Sequence, residues 1–89
     1  MKALNDWREQ IDRVDRSLVE LLNQRAGAVL ALAPLKRKYG RPVREPDRER
    51  EVLANIRGAN RGPLSSSALE RVFETVMDEM RAIQNNEDG

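Results

Sequence analysis

The chain has 89 residues, enough for one domain, with no Cys and no His. Those absences exclude disulfides, thiolate metal sites, cysteine nucleophiles and the commonest general base. Sixteen Lys and Arg nearly balance fifteen Asp and Glu, so the net charge of +1 gives no overall electrostatic footprint for nucleic acid. Within the cations the balance is uneven: thirteen are Arg and three are Lys. Arg forks match carboxylate and phosphate oxygens. Any chemistry must therefore work without His, Cys or an obvious metal, and an anionic small molecule is a natural partner.

The first segment, from about Leu4 to Tyr39, carries apolar residues at Leu4, Trp7, Ile11, Val14, Leu18, Leu21, Ala28, Leu32 and Leu35. The spacing alternates three and four, a heptad seam. Gly40 and Pro42 stop the helix. At 1.5 Å per residue it predicts a rod of ~54 Å, whereas a compact domain of this length has a diameter of roughly 30 Å. A partner helix from a second copy is expected on the seam. Pro34 interrupts the pattern, and a kink is expected there rather than a break, because the seam continues in phase through Leu35. A short second helix is expected from Pro46, suited to the first turn, with Asp47 and Glu49 at the positive helix end and Gly58 as its stop. Arg48 and Glu49 are expected to face inward, Arg50 and Glu51 outward. The stretch from Gly58 to Ser66 reads as a loop. Ser67 to Glu70 reads as a capping box opening a third helix, striped by Leu69, Phe73, Val76, Met80 and Ile83, with Asn85 to Gly89 frayed.

The fold class expected is thus all-α: one long, one short and one medium helix in a single domain, residues 1–89, forming an intertwined helical homodimer. The N-terminus lacks the apolar core of a leader. The longest apolar stretch, Ala26 to Leu35, is ten residues, against about 20 for a membrane span. A cytoplasmic location without membrane contact is expected.

Several polar residues occupy positions that a core would fill with apolar ones. Arg25 takes a heptad slot, which calls for a partner because an unpaired buried guanidinium is costly. That partner is either an acid of another helix or a ligand. Lys36, eleven residues on, returns to the same face about 16 Å along the axis. Gln84 lies one turn past Met80 on the third helix, and Arg48 and Glu49 open the second. Converging inward polar groups mark a ligand pocket in a helical bundle. Arg8 lies ~42 Å from Lys36 along a straight helix; in an antiparallel dimer it would enter the partner's pocket. The basic run from Lys36 to Arg44 is followed at once by Glu45, Asp47 and Glu49, so nucleic acid is not expected as a partner.

The ordered set Trp7-Arg8-Glu9-Gln10-Ile11-Asp12, Val14-Asp15, Leu21-Leu22 leading to Arg25, Lys36, the stretch Arg41-Pro42-Val43-Arg44-Glu45-Pro46-Asp47-Arg48-Glu49-Arg50-Glu51, then Phe73 and Gln84 resembles the all-α chorismate mutases. These are small intertwined helical homodimers that convert chorismate to prephenate. The likeness spans about Leu4 to Gln84. It implies that Arg25, and Arg8 of the other subunit, bind the substrate carboxylates. Lys36 and Gln84 would donate to the ether oxygen. Glu49 would accept from the ring hydroxyl, helped by backbone near Glu45, and Arg48 would order the pocket beside Glu45 and the substrate. Glu45 stands where the family often has Asp. Met80 stands where it often has a small hydroxyl residue that touches a carboxylate. The implied reaction needs no cofactor. Two other readings share these features: an isochorismate-pyruvate lyase, and a non-catalytic docking or regulatory module of a shikimate-pathway enzyme. A partner enzyme of that pathway is compatible with all three.

Overall fold

The computed structural model describes residues 3–88. Three helices follow in order: α1 (Leu4–Lys38), α2 (Pro46–Ala59) and α3 (Ser66–Asp88). Helix α1 has 35 residues, about 52 Å of rod at 1.5 Å per residue. It sets the shape, with extents of 56 × 24 × 15 Å and a radius of gyration of 16.2 Å. A compact chain of this length would have a radius near 12 Å. Pro34 lies inside α1 and does not break it.

The stop after α1 is a Schellman arrangement. Gly40 adopts φ +68°, its N–H donates to the Arg37 carbonyl at 3.1 Å, and the Arg41 N–H donates to the Lys36 carbonyl at 2.7 Å. The left-handed conformation costs a glycine little and other residues about 1–2 kcal/mol. The chain then reverses through Pro42 and Val43 and enters α2 at Pro46.

Helix α3 packs against both α1 and α2. The best-buried side chains are Ala33 of α1 and Met77, Met80 and Gln84 of α3. The N-terminal part of the α1 seam stays uncovered: Leu4, Trp7, Ile11, Val14, Leu18 and Leu21 are 50–64% exposed. An apolar stripe of this length is a feature of surfaces that associate.

Three boundaries differ from the sequence reading. Helix α2 passes through Gly58 to Ala59, and Asn60 closes it. The Asn60 side chain donates to the Leu64 carbonyl at 2.9 Å and to Ser66 Oγ at 3.2 Å, and accepts from the Gly62 N–H at 2.9 Å. Helix α3 opens two residues earlier than expected. Ser65, not Ser67, is the cap: its Oγ accepts from the Ala68 N–H at 3.1 Å. Three successive serines offer three registers, and the chosen one frees Glu70 to meet Arg57 across to α2, at 3.0 and 2.8 Å. The expected fraying from Asn85 is not seen: α3 continues to Asp88, while Gly89 lies outside the described residues.

Candidate functional site

A cleft of about 310 Å³ lies where the C-terminal half of α1, the 39–45 connection, the start of α2 and the end of α3 converge. Its walls include Arg25, Lys36, Glu45, Arg48, Glu49, Met80 and Gln84. Seven of the eight residues singled out from the sequence thus face one space. The eighth, Arg8, sits exposed in the second turn of α1, away from this cleft.

Arg25 is half-buried in its heptad slot. Among the described residues no acid of α2 or α3 pairs with it. The internal salt bridge that would satisfy it is therefore absent, and its guanidinium is left for whatever enters the cleft.

Lys36 is held from the connection that follows it. Its Nζ donates to the Val43 carbonyl at 2.8 Å and lies 3.4 Å from Glu45 Oε1, with 11% of the side chain exposed. The Gly40 reversal makes this possible by folding Val43 back over the last turn of α1. Glu45 is the N-cap residue of α2, but its side chain does not cap. Its carboxylate goes to Lys36 and to Arg41, 3.6 Å away. Two contacts fix the ammonium against the cleft wall and limit the entropy lost when a ligand arrives.

Gln84 is 5% exposed, and its amide oxygen is buried without a hydrogen-bond partner. An unsatisfied buried acceptor costs about 1–3 kcal/mol. No described residue donates to that oxygen, and the amide borders the cleft beside Met80, which is 7% exposed.

Helix α2 departs from the expected pattern in one place. Glu49 is half-buried, as expected, but Arg48 is not inward. Its guanidinium borders the cleft yet turns to Glu51 Oε1 at 2.5 Å, with 58% of the side chain exposed. A long Arg keeps its head in water while its stem lies along apolar surface, so helical phase alone did not place the charge. Arg50 faces outward and pairs with Asp47.

The site residue the sequence reading missed is Arg81. It lines the cleft, donates from one terminal nitrogen to Glu49 Oε2 and from the other to Asp78 Oδ1. Its signal is helical spacing: Met77, Arg81 and Gln84 share one face at intervals of four and three. Arg44 Nε reaches Glu49 Oε1 at 3.6 Å. The basic run from Lys36 to Arg44 is thus partly neutralised by Glu45 and Glu49.

In total the cleft walls carry four cations, Arg25, Lys36, Arg48 and Arg81, against two acids, Glu45 and Glu49. Val29, Leu32, Val43, Val52, Met77 and Met80 supply the apolar part. Such a cleft suits a compact, partly apolar ligand bearing negative charge. Among the described residues no group of His, Cys, Asp or Glu is placed to hold a metal ion.

An all-α chain with a cationic cleft between its helices defines a class, and comparison with known proteins identifies which one. The chain matches the family chorismate mutase type II over residues 7–85 and belongs to that family. It is 38% identical over 77 residues to the bifunctional chorismate mutase/prephenate dehydratase of Neisseria gonorrhoeae, covering 86% of this chain and 21% of that protein. It is 31% identical over 81 residues to the bifunctional protein of Aquifex aeolicus, covering 86% of this chain and 22% of that protein. This chain therefore spans about a fifth of the length of these relatives. Among solved structures, form II of chorismate mutase from Thermus thermophilus superimposes with a TM-score of 0.90 at 26% identity, covering 94% of this chain and 96% of that one. No helix among the described residues is long and apolar enough to cross a membrane.

Proposed function

We propose that this chain is a chorismate mutase, rearranging chorismate to prephenate in phenylalanine and tyrosine biosynthesis. The observation that carries the reading is the convergence of Arg25, Lys36 and Gln84 on one cleft, Arg25 without a carboxylate partner among the described residues and Gln84 with a polar amide buried in the wall. A purely structural bundle gains nothing from either.

The reaction breaks one C–O bond and forms one C–C bond within a single molecule. No proton, nucleophile or metal takes part, so a chain lacking His and Cys loses nothing. Two effects supply the rate. The cleft holds the flexible enolpyruvyl arm over the ring in a near-attack geometry; orientation of this kind contributes up to several kcal/mol. Lys36 and Gln84 donate to the ether oxygen as negative charge develops on it, at roughly 3–4 kcal/mol for a well-placed donor. Arg25 takes one carboxylate. Arg8 of a second copy takes the other, Glu49 accepts from the ring hydroxyl, Glu45 offers nearby backbone, and Arg48 closes the rim. Met80 supplies apolar contact where a hydroxyl would have met a carboxylate.

A homodimer is part of the proposal. Its support is the long exposed seam of α1, which the rest of the chain leaves uncovered, and the distance that keeps Arg8 out of its own cleft. A single domain working in the cytoplasm is proposed with it. The bifunctional relatives carry prephenate dehydratase on the same chain, and an enzyme consuming the product is the partner proposed here.

The test is direct. Purified protein is incubated with chorismate, its ultraviolet absorbance followed, and the product identified by chromatography. Stoichiometric prephenate is expected. A folded dimer that leaves chorismate intact would overturn the reading; turnover of isochorismate to pyruvate would assign the lyase, and inertness towards both would leave a docking module.

A further inference from the structure

We propose that Arg81 is a positioning residue of the cleft: it clamps the Glu49 carboxylate in the orientation that receives the ligand's hydroxyl. The identity of that hydroxyl rests on the mutase reading above; the clamp itself rests on geometry.

Arg81 projects from α3 with its fork divided. One terminal nitrogen donates to Asp78 on its own helix and the other to Glu49 across the gap to α2. Asp78 aims the guanidinium, and the guanidinium aims Glu49. Both partners of the inter-helix contact are largely sheltered, with 23% of the Arg81 side chain and 21% of the Glu49 side chain exposed. Hydrogen bonds between ions are about twice as strong as neutral ones, and low exposure spares this one from screening. Glu49's other arginine is a weaker hold: Arg44 stands 3.6 Å away and is 67% exposed.

Glu49 and Arg81 also line a second cleft of about 370 Å³, which opens between α2 and α3 beside Arg44 and Asp78. The pair, together with Met77, forms the wall shared by the two clefts. Its loss would open that wall to water behind the ligand and free Glu49 to swing either way. An ionised carboxylate has about four acceptor sites, so two arginines leave room for a ligand hydroxyl. The guanidinium further supplies one of the two cations by which the cleft walls exceed their acids.

The alternative role is a plain brace between α2 and α3. The molecule contains a comparison for it. Arg57 and Glu70 join the same two helices near the other end of α2, and neither lines the cleft. A brace predicts that losing Arg57 and losing Arg81 act alike, through stability. A clamp predicts that only Arg81 acts on catalysis.

Kinetics with chorismate and urea unfolding would be measured for wild type, Arg57→Met, Arg81→Met, Arg81→Lys, Glu49→Gln and the Glu49→Gln/Arg81→Met double variant. Arg81→Met is expected to lower kcat/KM by about tenfold or more, the scale of a lost charged hydrogen bond, while Arg57→Met stays within about twofold of wild type. The double variant is expected to be no worse than Glu49→Gln alone, because one residue acts through the other. Arg81→Lys keeps the charge without the fork, and carries the test if Arg81→Met does not fold; a partial loss at an unchanged urea midpoint supports the clamp. Wild-type kinetics in the folded Arg81 variants, or additive losses in the double variant, would overturn it alone. A wild-type protein inert towards chorismate would instead overturn the mutase reading, and the clamp's ligand with it.

Discussion

If each active site draws Arg8 from a second copy, two inactive variants should repair each other. Arg8 and Lys36 stand on one helix, about 42 Å apart at 1.5 Å per residue, and the molecule is only 24 × 15 Å across that axis. One small ligand cannot touch both on the same chain. In Arg8→Ala both sites of the dimer lack the distal guanidinium; in Lys36→Ala both lack the ammonium. A heterodimer of the two has one site missing both groups and one site missing neither. Equal mixing makes half the dimers heterodimers, and half their sites intact, so about a quarter of wild-type turnover should return from a two-fold symmetric assembly.

The baseline is low enough to see this. Lys36→Ala removes an electrostatic donor, which costs about 10²–10³ in turnover. Arg8→Ala removes a charged hydrogen bond of about 1.5–3 kcal/mol, roughly 10- to 150-fold. The two proteins would be mixed at equal concentration and assayed with chorismate, with subunit exchange followed by native mass spectrometry. Recovery near one quarter supports the shared site. Heterodimers present in statistical amount with no gain in turnover would refute it, and the α1 seam would then need another explanation.

Three further outcomes follow from the geometry. Leu18→Asp places a charge in the exposed seam, where Leu18 is 50% exposed; it should dissociate the dimer in sedimentation velocity and abolish turnover, and an intact active dimer would refute the seam as the interface. Gln84→Glu converts an amide that donates at any pH into a carboxyl that donates only when protonated; turnover should fall at neutral pH and recover on acidification, whereas the wild type, which has no His, should vary little between about pH 6 and 8. Gly40→Ala forces a side chain into φ +68° and should cost about 1–2 kcal/mol in urea unfolding, with a larger loss in kcat than in stability if the turn positions Lys36.

The site was readable wherever a polar residue broke an apolar rhythm. Arg25 interrupts the α1 heptads, and Gln84 follows the α3 stripe, so periodicity alone flagged both. Arg81 escaped because it lies beside the stripe that was followed and three residues after Asp78, where an exposed i, i+3 ion pair explains an Arg without any site. Met77, 8% exposed, escaped with it: the inner face of α3 is wider than one row. Arg48 shows the opposite failure, for its helical phase points inward while its long stem carries the charge back out to Glu51. Ser65 won the capping position over Ser67 through a tertiary contact, Arg57 to Glu70, which local propensity does not encode.

The turn after α1 ties the fold to the chemistry most closely. Gly40 alone permits the reversal at low cost, and the reversal brings the Val43 carbonyl to 2.8 Å from Lys36. The same short connection delivers Glu45 to the start of α2, where it gives up capping and faces the Lys36 ammonium instead. A donor intended for charge that appears only in the transition state must be held before the substrate arrives, or reorganisation consumes its advantage. Backbone carbonyl and carboxylate together provide that hold, from residues within nine positions of Lys36 in sequence. Glu49 receives the corresponding hold from α3 through Arg81. The cleft is thus fixed by contacts between its own wall residues before a ligand enters, while the Arg25 guanidinium remains without a carboxylate partner among the described residues for the ligand to meet.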